Sequence, residues 1–78
     1  MKSVNVDEAL WRNAMLPEGI LERWYVADQA IVAEGDMISE IRIEGARHEI
    51  TAPAAGRITL LAHVNDVVEP GTQIAQLA

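Results

Sequence analysis

The chain contains no cysteine and no phenylalanine, and Lys2 is its one lysine. The missing thiols exclude a disulfide framework, a cysteine nucleophile and thiolate metal ligation together. With Trp11, Trp24 and Tyr25 the only aromatics, the core has to be thin and built from Val, Ile, Leu, Ala and Met. No apolar run approaches the roughly 20 residues that a bilayer-spanning helix needs, and the first seven residues carry no hydrophobic stretch of the signal-peptide kind. Positive charge is scarce as well: 6 basic residues against 12 acidic ones give a net charge of −6. Such a surface repels phosphate backbones and anionic lipid, so neither nucleic acid nor membrane is an expected partner, and the cytoplasm is the expected location.

What is present suffices for one domain with one core, because 78 residues is near the lower limit for a chain without disulfides or metal. Val4-Asn5-Val6 alternates as a short opening strand, with Lys2 expected in a tail before it. Asp7 reads as an N-cap, and Leu10, Trp11, Ala14 and Met15 are spaced to cover one side of a short helical turn over residues 8–14. Trp11 and Met15 are expected to plug one end of the core. Pro17-Glu18-Gly19 then ends this N-terminal extension, since a residue before proline is pushed out of the helical region.

From Ile20 onward the pattern changes to short strands between turns. Ile20, Leu21, Trp24 and Val26 suggest a strand with a bulge, and Ala27-Asp28-Gln29-Ala30 a turn. Ile31-Val32 and Met37-Ile38-Ser39-Glu40-Ile41 bracket Gly35-Asp36. Ile41 to Ile50 then reads as a hairpin turning at Glu44-Gly45, because an acidic-Gly pair between alternating residues accepts the positive φ of a tight two-residue turn. Pro53 bars residues 51–56 from a central ladder. Ile58 with Leu60 or Leu61, Val67-Val68, and Ile74 to Leu77 complete the strands, with a turn at Asn65-Asp66.

Residues 32–41 and 68–77 share the pattern Val-x-x-Gly-x-x-Ile-x-x-aliphatic at an offset of 36 residues. A repeated strand-turn-strand unit implies two halves that cover each other, as neither can bury its apolar face alone. The expected fold is all-β: a flattened barrel or sandwich of two four-stranded antiparallel sheets with pseudo-twofold symmetry and a short N-terminal helical turn. In it the Glu44-Gly45 hairpin protrudes from one end and the termini lie near the other.

The ordered set Glu18-Gly19, Trp24-Tyr25-Val26, Val32-x-x-Gly35-Asp36, Glu40-Ile41, Ala46-x-x-Glu49-Ile50-x-Ala52-Pro53-x-x-Gly56 and Asn65-Asp66-x-Val68-x-x-Gly71 resembles the biotinyl/lipoyl carrier domain family. The resemblance divides the chain into an extension, residues 1–17, packing on a lipoyl/biotinyl-like domain, residues 18–78, of the barrel-sandwich hybrid type. It also implies a function for the hairpin tip, where such carriers present a lysine whose amine is acylated by lipoate or biotin. Here the aligned position is Gly45, flanked by Glu44 and Ala46. An amide to the cofactor needs a nucleophilic nitrogen, which glycine lacks and a guanidinium does not supply, so no lipoate or biotin is expected. What the resemblance then implies is a non-enzymatic accessory or docking module, partnered by a component of a 2-oxo acid dehydrogenase or acyltransferase complex. Two alternatives stay open: a true carrier modified at the unexpected site Lys2, and a structural lipoyl-like domain of a transport adaptor, although adaptors interrupt this hairpin with an insertion absent here.

Other chemistry finds little support. His48 and His63 lack the spacing to a second or third ligand that a metal or an acid/base site requires, so no metal is expected and both read as strand or surface histidines. Asp28, Asp36 and Asp66 read as turn residues accepting local backbone N–H bonds. The glycines form no phosphate loop. Arg42 and Arg47 face each other across the hairpin, where like charges cost something unless Glu40, Glu44 or Glu49 joins them. Arg42, Glu44 and Arg47 are therefore the candidate residues for docking a partner's charged group.

Overall fold

Alternating apolar residues draw the two ends of the chain together. In the computed structural model, which describes Met1–Ala78, strand β1 (Lys2–Asn5) lies antiparallel to the last strand and buries Val4. Lys2 thus belongs to the sheet, opposite Leu77, where a tail had been expected. The chain then makes a single 3₁₀ turn, Glu8–Trp11, capped by the Asp7 carboxylate, which accepts the Ala9 N–H at 2.9 Å. This is shorter than the turns expected over 8–14. A short isolated helix gains little from its own hydrogen bonds, and burying Trp11 takes priority.

The remaining strands are β2 (Gly19–Trp24), β3 (Ile31–Val32), β4 (Met37–Ile43), β5 (Ala46–Thr51), β6 (Gly56–Leu60), β7 (Val67–Val68) and β8 (Gln73–Leu77). They form two four-stranded sheets in the orders β1-β8-β6-β3 and β5-β4-β2-β7, all pairs antiparallel. The expected bulge in β2 falls between Leu21 and Arg23. The turns before β4 and β8 are built alike. Gly35 N–H donates to Ala52 O and Gly71 N–H to Val6 O, while Asp36 Oδ2 accepts the Ala33 N–H and Thr72 Oγ1 the Glu69 N–H, each of the four at 2.9 Å.

Between the sheets lies an aliphatic core in which Leu21, Ile38, Ile41, Ile58, Ile74 and Ala75 are fully buried. Trp11 closes the end of this core beside Gly19, where a β-carbon would stand 3.2 Å from the Trp11 ring and 3.1 Å from Ile43. Met15 takes no part in the plug: it is 90% exposed. At the other end the C-terminus packs so closely on Gly56 that a β-carbon there would meet the Ala78 carbonyl oxygen at 2.6 Å. The molecule extends 35 Å along its long axis, with the β4–β5 turn at one end and both termini at the other.

Candidate functional site

The tip is built by β4 and β5, whose register pairs Ile43 with Ala46 and so leaves only Glu44 and Gly45 to turn the chain. Their φ angles, 49° and 84°, are both positive, as a type I′ hairpin requires. Glycine adopts this freely, whereas Glu44 holds it at a cost of about 1 kcal/mol. The compensation comes from the N-terminal segment. Glu44 Oε2 accepts the backbone N–H of Met15 at 2.6 Å and of Leu16 at 3.0 Å, charge-assisted bonds of the stronger kind. The segment before β2 is thereby latched to the hairpin tip, with the Met15 and Leu16 side chains left outward.

Arg42 and Arg47 do stand opposite each other. Arg42 is joined by Glu22 of the β2 bulge at 3.4 Å, and Arg47 reaches Glu40 at 4.0 Å. Glu40 is the centre of this outer face. Its Oε1 accepts no hydrogen bond but lies 3.7 Å from Arg23 Nε and 4.0 Å from Arg47 Nε, and its Oε2 accepts the Tyr25 hydroxyl at 3.2 Å. The Tyr25 pKa is raised from its ordinary 10.0, first by desolvation, then by the hydrogen bond to Glu40 and the charge of that carboxylate, with Arg23 pulling the other way. The three candidate docking residues therefore divide: Arg42 and Arg47 belong to the outer face of the sheet, and Glu44 turns toward the N-terminal segment.

His48 is half-buried opposite Ile41 and borders an open groove of about 580 Å³ between the hairpin and the N-terminal segment, together with Leu10, Arg12, Asn13, Ile43 and Ala46. His63 is exposed beside Asp66, 3.7 Å away. No three His, Cys, Asp or Glu side chains come together as a metal site would require. Asp36 and Asp66 accept local N–H bonds, from Ala33 and His63, whereas Asp28 reaches across to the Leu60 N–H at 2.9 Å. The Glu44 latch, the Glu22–Arg42 pair and the groove could not be anticipated, because their partners are 20 or more residues apart and no local pattern marks them.

Two four-stranded sheets with a protruding two-residue hairpin opposite the termini define the class of lipoyl- and biotinyl-type domains. The chain belongs to the Biotin_lipoyl family, whose model, described as biotin-requiring enzyme, matches residues 14–77. It is similar in fold to the lipoyl domain of the 2-oxoglutarate dehydrogenase complex from Azotobacter vinelandii, solved in solution by NMR. The TM-score is 0.75 at 19% identity, over 97% of this chain and 96% of that one. No curated protein matches the sequence. The residues at the tip do not fit covalent lipoate or biotin. Gly45 has no side chain, the Glu44 carboxylate is engaged by two amides, and Lys2 is at the far end of the fold, paired with Leu77.

Proposed function

We propose that this protein is an unmodified lipoyl/biotinyl-type domain that acts as a non-catalytic docking module in the cytoplasm. The observation that carries the reading is a tip of carrier shape without a nucleophile: Glu44-Gly45 in a type I′ turn, latched by the Met15 and Leu16 amides. Such a tip offers recognition without cargo. Its partner is a protein that recognises the lipoyl-domain shape, and the likeness to a domain of the 2-oxoglutarate dehydrogenase complex supports a component of a 2-oxo acid dehydrogenase or acyltransferase assembly. The exposed arginines Arg42 and Arg47 form the docking face, next to a tip whose Glu44 carboxylate is held by the N-terminal segment. The uninterrupted hairpin speaks against a transport adaptor.

Co-expression with a lipoyl ligase or a biotin ligase, followed by intact mass measurement, tests the reading. The expected mass is that of the unmodified chain. An added lipoyl or biotinyl mass mapped to Lys2 would replace docking by a carrier role.

A further inference from the structure

Strand β5 lies at the edge of its sheet, with β4 on one side only. In an antiparallel hairpin with a two-residue turn, the pair flanking the turn is mutually hydrogen-bonded, and bonded and non-bonded pairs alternate from there. Ala46, His48 and Ile50 therefore bond to β4, while the N–H and C=O groups of Arg47 and Glu49 point away from it. No turn, loop or cross-sheet backbone bond uses them. The N-terminal segment passes beside this edge without pairing with it and leaves the groove at Ala46 and His48 open.

The side chains at the same two positions are poorly matched within the chain. Arg47 stands opposite Arg42 and Glu49 opposite Glu40. Arg42 turns to Glu22 and Arg47 to Glu40, but Glu49 is exposed and has no cation within ion-pair distance. We propose that β5 pairs antiparallel with β5 of a second copy about a twofold axis at His48, so that Arg47 of each copy faces Glu49 of the other.

This register is the one that satisfies both backbone and charge. Arg47 and Glu49 form the bonded pairs, each exchanging two N–H···O bonds, and His48 meets His48 of the second copy at the axis. A shift by one residue puts the free backbone groups out of phase. A shift by two places Arg47 on Arg47, or Glu49 on Glu49, which like-charge repulsion opposes. The charged edge thus guards against indiscriminate pairing while admitting its own copy. In the resulting dimer the two hairpin tips point in opposite directions, each lying alongside the body of the other copy, with the termini outermost.

Sedimentation equilibrium of the full chain, from about 10 μM to about 1 mM, covers the affinities expected of so small an interface. A reversible dimer is expected, and hydrogen exchange of the Arg47 and Glu49 amides is expected to slow as concentration rises. Arg47→Glu and Glu49→Arg should each weaken the dimer by about tenfold or more, and the double variant R47E/E49R should recover it. A chain that stays monomeric throughout, a dimer whose Arg47 and Glu49 amides exchange as fast as in the monomer, or a double variant no tighter than the single ones would each overturn the proposal. Should a variant lose its circular dichroism spectrum, the amide exchange of the unaltered chain decides alone.

Discussion

At the scale of single residues, Gly45 and Glu44 show how a turn position is chosen by backbone before chemistry. A β-carbon on Gly45 would meet nothing within 4 Å, so space permits any side chain and only the positive φ resists one. Gly45→Lys is accordingly expected to fold with a loss of about 1 kcal/mol, readable in urea unfolding, and to supply the amine that the tip lacks. Tyr25 offers a second residue-scale expectation. Its pKa is raised from 10.0 in the folded state, so the native state holds the phenolic proton more tightly than the unfolded one. The resulting stabilisation is complete below pH 10.0 and is lost as pH rises through the folded pKa. Because Tyr25 is 42% exposed, solvent screens much of the field from Glu40. Ultraviolet titration should place the phenolate transition above that of an unfolded chain, and Glu40→Gln should move it down.

At the scale of elements, the 3₁₀ turn matters for what it delivers. It spans four residues, Glu8–Trp11, too few to be stable alone, yet it sets the Trp11 ring over Gly19 at the end of the core. Trp11→Ala is expected to cost about 3 kcal/mol, a large share of a stability on the order of 5 kcal/mol for so small a domain. The Trp11 Nε1–H is buried without an acceptor, and a donor in that position weakens the fold. Trp11→Phe should therefore retain most of what the alanine variant loses, a contrast that denaturant midpoints will resolve. The β4–β5 hairpin is the other decisive element. Its turn, register and opposed arginines are all readable from Ile41 to Ile50, since a two-residue turn with alternating flanks admits one register. The salt bridges are different. Glu22 reaches Arg42 only because β2 bulges next to β4, and Glu40 takes Arg23 from the neighbouring strand and Tyr25 from just beyond its end.

For the whole molecule, residues 1–17 are as much a part of the fold as of its surface. They provide edge strand β1, bury Val4, Val6 and Trp11, and present the amides that hold Glu44. A chain beginning at residue 18 would expose the β8 edge and open the tip end of the core. It is expected to lose its sharp thermal transition and the dispersed amide signals of a folded protein, whereas a chain lacking Met1 alone should keep both.

The all-β class, the two-sheet count and the turn at Glu44-Gly45 were legible in the sequence, because they follow from alternation, glycine placement and one pattern repeated along the chain. Tertiary structure alone decided that Met15 faces solvent while Trp11 is buried. It also decided that Lys2 lies in a sheet, that Glu44 is held by an N-terminal segment 28 and 29 residues earlier, and that β5 is left with an open edge. Those outcomes depend on which surfaces meet when the two sheets close on each other. Bringing such distant groups together is set by the burial of the shared core, which no local stretch of residues specifies.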